Sequence, residues 1–210
     1  MDVKRFVIAT FLVFAMLGCR ELAQKTEVDG VVSSEVALSV MPVGAYFGTA
    51  SDIDYANKLW QALIAGKIVG SEARPHEPFF GGAKPHGLIL EVIHLIVLVG
   101  DHSGFVIVKK NYDGPGASVE TVKQDRVRYL DSITVMYRRE AGYDNDNQNW
   151  FWVKYRPDGT LFAKTLEGQT ISLAGRLMKG ETPRENRGCI YCHSSAGGGD
   201  YVFYPDILVP

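Results

Sequence analysis

The chain has 210 residues, of which 46% are hydrophobic and 22% are charged, and its formal net charge is −2. This length predicts one domain with a substantial core. Because the composition indicates no basic face, nucleic acid is excluded as an expected partner.

The first 18 residues resemble a secretory signal peptide. Lys4 and Arg5 precede a largely apolar run over residues 6–17, and Gly18 and Cys19 follow it. The run is shorter than the ~20 residues that a membrane-spanning helix needs, and a small residue before the cleavage point is typical of such signals. We therefore predict a signal peptide over residues 1–18 and export across a bacterial inner membrane.

Cys19 has two interpretations. A cysteine directly after the cleavage point is similar to the bacterial lipoprotein signal, in which Cys19 is acylated and becomes the mature N-terminus. The alternative is ordinary cleavage near Gly18, which leaves Cys19 as a free thiol. Acylation would hold the protein on the periplasmic side of the membrane through an N-terminal lipid anchor alone.

Residues 19–46 have no clear hydrophobic period, which predicts a flexible tether before a folded domain over residues 47–210. A helix is predicted over residues 52–67, with Ser51 and Asp54 as its capping box. Its apolar residues at helical spacing are Ile53, Ala56, Trp60, Leu63 and Ile64. Three prolines and two histidines in residues 71–87 predict an irregular loop.

The next part of the chain has β-strand patterns. The predicted strands cover residues 88–99, 105–112, 132–139 and 150–155. A tight turn at residues 157–159 predicts a hairpin that continues through residues 161–166. Because strand follows strand without an intervening helix, we expect an antiparallel sheet. Residues 88–99 fit a buried helix nearly as well.

Cys189, Cys192 and His193 form the pattern C-x-x-C-H. This spacing is typical of covalent haem attachment, in which two thiols add to the two vinyl groups of the porphyrin and the histidine binds the iron. Three cysteines are present in the chain, and the third is Cys19. The pattern predicts one covalently bound haem c per chain, with His193 as an axial ligand of the iron.

Three other interpretations of the two cysteines remain. They are a short disulfide, a thioredoxin-like redox pair and half of a zinc site. The thioredoxin interpretation needs a βαβ context that this segment lacks. A zinc site needs a second pair of ligands at its own regular spacing.

Residues 184–194 predict a short helix that would lay the haem against one face of the sheet. The expected fold class is therefore α+β, mainly β: an antiparallel sheet with an N-terminal helix and a short C-terminal haem-bearing helix. The aromatic residues that would form an apolar wall are Trp150, Phe151, Trp152, Tyr155, Tyr191, Tyr201 and Phe203. Membership of the protein core is the alternative for each of them.

Several segments of the chain carry a family resemblance when they are taken together. They are Pro85-His86-Gly87, residues 106–112, residues 133–137, Trp150–Tyr155 before Asp158-Gly159, Cys189–His193 and residues 200–203. Together they resemble the cytochrome P-460 family and its non-enzymatic relatives, the cytochromes c'-beta. The resemblance covers most of the chain after Asp52, and the haem motif and the closing Asp-Tyr-Val-Phe are its most specific parts.

The resemblance implies a mainly β domain, often a homodimer, with an open or loosely occupied iron face opposite His193. Enzymes of the family oxidise hydroxylamine, pass electrons to a partner protein and carry a lysine cross-linked to the haem edge. The c'-beta members bind nitric oxide or carbon monoxide. Lys109, Lys110 and Lys154 lie on predicted strands, and the sequence does not choose among them as the cross-linking residue.

The sixth ligand of the iron separates two functions. An open position suits a small ligand of the nitric oxide or hydroxylamine class, with hydroxylamine oxidation as an open enzymatic prediction. A methionine or histidine there suits a simple electron-transfer cytochrome. The candidate ligands are His76, His86, His94, His102, Met136 and Met178. The expected partners are a small ligand at the iron and a redox partner protein.

Overall fold

A six-stranded antiparallel sheet forms the centre of the computed structural model, which describes residues 47–166, 168–177 and 188–203. The strands are β1 (Phe79–Phe80), β2 (Ile89–Val99), β3 (His102–Tyr112), β4 (Leu130–Arg138), β5 (Trp150–Tyr155), β6 (Ala163–Leu166), β7 (Gln169–Ser172) and β8 (Ala174–Gly175). The order in the main sheet is β1-β2-β3-β4-β5-β8, and β6 and β7 form a separate pair.

The helices lie at both ends of the described chain and between two of the strands. They are α1 (Ala50–Ala65), α2 (Val119–Gln124), α3 (Arg126–Tyr129) and α4 (Cys189–His193). The fold is α+β and mainly β, with an N-terminal helix and a short C-terminal helix, so this prediction is confirmed. The predicted signal peptide, Cys19 and the tether lie outside the described residues.

The strand prediction over residues 88–99 is confirmed, because β2 pairs with β3 along its whole length. The alternative of a buried helix is therefore wrong. Among the described residues, no helix is long and apolar enough to cross a membrane.

Helix α1 begins two residues before the predicted start at Asp52. Its capping box is formed by Thr49 and Asp52, because the Thr49 hydroxyl accepts from the Asp52 N–H at 3.1 Å and the Asp52 carboxylate accepts from the Thr49 N–H at 3.1 Å. The predicted capping box of Ser51 and Asp54 is wrong. Both pairs have the same spacing, so the sequence pattern alone did not distinguish them.

Helices α2 and α3 correct the expectation that no helix separates the strands. They contain 6 and 4 residues and lie between β3 and β4. Ser118 caps α2 by accepting from the N–H of Thr121 at 3.2 Å. Helices this short show no repeating apolar face, and caps rather than periodicity define them.

The predicted hairpin after β5 forms only in part. The turn is present, since the Arg156 N–H donates to the Thr160 carbonyl at 2.7 Å, but only one bridge, between Tyr155 and Leu161, joins the two sides. Strand β8 occupies the free edge of β5. The chain after Leu161 therefore pairs with β7 instead of extending the hairpin.

The predicted loop at residues 71–87 is irregular apart from β1. The two residues of that strand, Phe79 and Phe80, pair with Leu90 and Ile89 at the edge of the main sheet. The rest of the loop has no regular structure but is held to the domain, since Arg126 donates to the His76 carbonyl and His86 contacts Asn111.

The main sheet has one face toward α1 and another toward α4. Side chains alternate along β3, so that Val106 and Val108 pack in the core with α1, whereas Ile107 packs in a second cluster with Ile190 of α4. The buried members of this second cluster are Ile107, Met136, Trp150, Trp152, Ile190, Tyr201 and Val202. The sheet therefore supplies the floor on which the C-x-x-C-H helix rests.

An ion-pair network is buried near the β2–β3 end of the sheet. Glu91 is 0% exposed, and its carboxylate lies 2.6 Å from Nε of Arg126 and 3.4 Å from Nζ of Lys110. Desolvation lowers the pKa of Lys110, and the nearby Glu91 carboxylate opposes that effect. Adjacent side chains on a strand point to opposite faces of the sheet. Because Lys110 belongs to this network, its neighbour Lys109 lies on the other face.

Candidate haem site

Helix α4 presents the C-x-x-C-H pattern in one helical turn and a little more. Gly188, with φ of 78°, precedes the helix in a left-handed conformation that favours glycine. Ile190 and His193 point into the protein, while Cys192 is exposed and Cys189 is partly buried. The described part of the helix predicted at residues 184–194 begins at Cys189. The two cysteines are not joined by a disulfide.

A cavity of about 390 Å³ lies beside this helix. It is bounded by α4, the loop before β2, and strands β2 and β3. Its wall consists of Phe79, Gly81, Gly82, Ala83, Lys84, Pro85, His86, Leu90, Val92, Lys109, Gly188, Cys189, Cys192, His193 and Phe203. The volume lies in the range of about 300–1,000 Å³ that is usual for small-molecule and cofactor sites.

His193 is held in one orientation and one protonation state. It is 5% exposed, and its Nδ1 lies 2.7 Å from the carbonyl oxygen of Tyr201. A carbonyl oxygen can only accept, so Nδ1 carries the hydrogen and Nε2 keeps its lone pair. Burial and then the charge of Lys109 lower the pKa of His193 to about 4. This is the arrangement that metal-binding histidines have in proteins.

Residues 200–203, the closing Asp-Tyr-Val-Phe segment, hold the carbonyl that accepts from His193. The Trp150 indole N–H donates to the carbonyl oxygen of Asp200 at 2.8 Å, and the Val202 N–H donates to the Asp200 carboxylate at 3.1 Å. Tyr201 has φ of 65°. The segment thereby brings the Tyr201 carbonyl to His193.

The expected aromatic wall is divided between the two faces of the sheet. Trp150, Trp152 and Tyr201 pack with α4, and Phe203 lines the cavity. The rings of Trp152 and Phe203 lie 5.2 Å and 5.4 Å from the His193 ring. Phe151 and Tyr155 lie instead in the core with α1, and Tyr191 is exposed.

The residues at this site fit a covalently bound haem. Two unpaired thiols border the cavity, together with an imidazole whose Nε2 is available as a ligand. The Nε1 atom of Trp152 is buried and has no hydrogen-bond partner within the described part of the chain. Trp152 does not line the cavity itself, but its ring lies 5.2 Å from that of His193.

The candidate sixth ligands lie in different places. His86 lines the cavity, and its ring centre is 6.3 Å from that of His193. Met136 is buried in the cluster beneath α4. His102 lies 3.0 Å from the carbonyl of Arg138, away from the cavity wall, and Met178 lies outside the described residues. His76 and His94 do not line the cavity either: His76 contacts the carbonyl of Arg74, and His94 is exposed on β2.

The three candidate lysines lie in different environments. Lys109 lines the cavity, and desolvation lowers its pKa. Lys110 lies on the other face in the ion-pair network, and the Nζ of Lys154 lies 4.7 Å from the centre of the Phe162 ring. Lys109 is therefore the member of this group that lines the cavity, although the charge of Lys154 also acts on His86 and Cys189.

The sequence analysis missed two side chains that contact His86. The Nδ1 of His86 lies 3.0 Å from Oδ1 of Asn111 and 3.2 Å from Oγ1 of Thr134. Both residues are on strand positions with the same orientation as Lys109. Side-chain alternation along the predicted strands was the signal that could have placed them together, but strand register was needed as well.

Within the described ranges, no three or more His, Cys, Asp or Glu side chains are grouped as a metal-ion site. Comparison of the chain with protein families, with curated proteins and with solved structures gives no match in any of the three.

Proposed function

We propose that this chain is an exported c-type cytochrome of the cytochrome P-460 and cytochrome c'-beta kind, with one haem c attached through Cys189 and Cys192. His193 is the axial ligand, and a small ligand of the nitric oxide or hydroxylamine class binds at the iron. The observation that carries this proposal is the hydrogen bond from His193 Nδ1 to Tyr201, which leaves Nε2 available beside both thiols and the cavity.

The chain's own residues have separate tasks in this proposal. Cys189 and Cys192 hold the porphyrin, the Tyr201 carbonyl orients His193, and Trp152 supplies an apolar surface beside His193. The haem supplies an iron atom that binds diatomic ligands and exchanges electrons. Leu90, Val92 and Phe203 supply apolar surface around the bound group.

Hydroxylamine oxidation is the enzymatic version of this function, and Lys109 is the observation that favours it. Its amine lines the cavity near Cys189 and has a lowered pKa, so the nucleophilic neutral form is more accessible than at a solvated lysine. The alternative is a simple electron-transfer cytochrome with Met136 or a histidine as sixth ligand. We also propose that the protein passes electrons to a redox partner protein and forms a homodimer. Lipid-modified Cys19 holds it on the periplasmic side of the membrane.

The function can be tested with the purified holoprotein from a host that attaches haem c. The absorption spectrum of the ferrous protein is recorded before and after addition of carbon monoxide or nitric oxide. A spectral change that saturates with the gas is expected. A ferrous spectrum that neither gas alters would contradict small-ligand binding and favour the electron carrier.

Hydroxylamine oxidation needs a separate measurement. Turnover with an electron acceptor and a haem mass altered by a lysine bond are expected for the wild type, and both should be lost in Lys109→Arg. Lys154→Arg is the matched control, because it changes a strand lysine that points toward Phe162. An unmodified haem and no turnover in the wild type would exclude the enzyme while leaving gas binding intact.

A further inference from the structure

His86 and His193 lie close together in the wall of the cavity. Both side chains line it, and their ring centres are 6.3 Å apart with the ring planes at 77°. Two imidazoles on opposite sides of one metal ion have ring centres roughly 6 Å apart, because each metal–nitrogen bond is about 2.0 Å long and each nitrogen lies about 1 Å from its ring centre. The observed separation matches that of two ligands on one iron.

The hydrogen bonds of Asn111 decide which nitrogen of His86 is available. Its amide Nδ2 donates to Ser132 and Thr134, each at 3.3 Å, so its Oδ1 faces His86 as an acceptor. The Nδ1 of His86, at 3.0 Å from that oxygen, must then carry the hydrogen. The lone pair is left on Nε2, as it is in His193.

Asn111 is itself held firmly. It is 0% exposed, and its strand β3 lies between β2 and β4 in the sheet. Its three side-chain hydrogen bonds, to His86, Ser132 and Thr134, hold the amide in place, and each contributes about 0.5–1.5 kcal/mol. In this orientation Asn111 positions His86 as outer hydrogen-bond partners position metal-binding histidines, with Nδ1 toward the sheet and Nε2 left without this contact.

The segment that carries His86 differs from the one that carries His193. His86 lies in the irregular loop between β1 and β2, next to Gly87, whereas His193 belongs to α4 and is bonded to Tyr201. Loops of this kind open at lower free energy than packed core elements. His86 is thus the one of the two imidazoles that can leave its position more easily.

We propose that His86 is the second axial ligand of the iron in the resting protein, and that it must dissociate before a small ligand binds. This inference rests on the proposed haem site and specifies how that site is regulated. A gas then competes with His86 for the iron. The apparent affinity for the gas is therefore the intrinsic affinity multiplied by the fraction of protein in which His86 is dissociated.

The test compares wild-type holoprotein with His86→Ala and with His94→Ala. His94 is the matched control, because it is an exposed histidine on the adjacent strand. We expect low-spin, six-coordinate iron in the wild type and in His94→Ala, by absorption and electron paramagnetic resonance. His86→Ala should give high-spin iron and bind carbon monoxide roughly tenfold faster or more, since the competing ligand is absent.

High-spin iron in the wild type would overturn the role of His86, and so would low-spin iron that persists in His86→Ala. The wild-type resonance spectrum decides the first point even if His86→Ala does not mature, and His86→Gln provides a second variant of similar polarity. Low-spin wild-type iron that His86→Ala converts to high spin, but that no gas reaches in either protein, would support His86 and contradict the proposed function. The opposite failure, high-spin wild-type iron that binds gas, would leave the proposed function intact.

Discussion

The Nδ1 of His193 lies 2.7 Å from the carbonyl oxygen of Tyr201, eight positions later in the chain. This contact links the C-x-x-C-H helix to the segment that follows it. The same segment is anchored to the sheet through Trp150, whose indole N–H donates to the Asp200 carbonyl. Trp150 therefore helps to orient His193 indirectly, because it holds the segment whose Tyr201 carbonyl accepts from the imidazole.

Trp150→Phe should weaken this anchor. The substitution removes the indole donor to the partly buried Asp200 carbonyl, so we expect a loss of about 0.5–1.5 kcal/mol in the free energy of unfolding from this hydrogen bond. Trp152→Phe is the matched control, because the Trp152 N–H has no partner within the described residues. Denaturant unfolding of the two variants would contradict the account if Trp152→Phe were the more destabilised when haem is absent.

Glu91→Gln should be the more damaging of two conservative charge removals. It leaves Arg126 and the buried Lys110 without their counter-charge, and breaking a buried ion pair in this way costs about 3–5 kcal/mol. Asp54→Asn removes one partner of an exposed pair with Lys58, whose side chains are 64% and 61% exposed. That change should cost less than about 1 kcal/mol. Chemical denaturation measures both, and equal losses would disprove the importance of the buried network.

Thr49→Ala should destabilise α1 by about 0.5–2 kcal/mol, since it removes the hydroxyl that accepts from the Asp52 N–H. Ser51→Ala serves as the control, because Ser51 lies within the helix and does not cap it. The comparison is made by thermal or denaturant unfolding. A larger loss for Ser51→Ala would restore the capping box that the sequence pattern predicted.

The strands were the most predictable parts of this molecule. Residues 150–155 were predicted and found as β5, and the strand at residues 88–99 differs from β2 by one residue. These segments are long, apolar and rich in β-branched or aromatic residues, so local pattern is sufficient. The C-x-x-C-H spacing is also a local pattern, and haem attachment at it stays a prediction.

Features that depend on distant pairs were not predictable in the same way. His86 and His193 come from opposite ends of the domain sequence and meet only because β3 and the loop before β2 share a face with α4. The replacement of the predicted hairpin partner by β8 has the same cause, since Ala174 and Gly175 are far too few to show a strand pattern. Lys109 and Lys110 are a further example. They are adjacent in the sequence, and only the strand register shows that Lys109 lines the cavity while Lys110 joins the ion-pair network.

The most direct test of the whole account is the mass of the denatured protein after expression in a host that attaches haem c. We expect the mass of one haem to remain on the chain after denaturation and to disappear in the double variant Cys189→Ala, Cys192→Ala. A wild-type protein that carries no haem mass under the same conditions would contradict the central claim, whatever its stability.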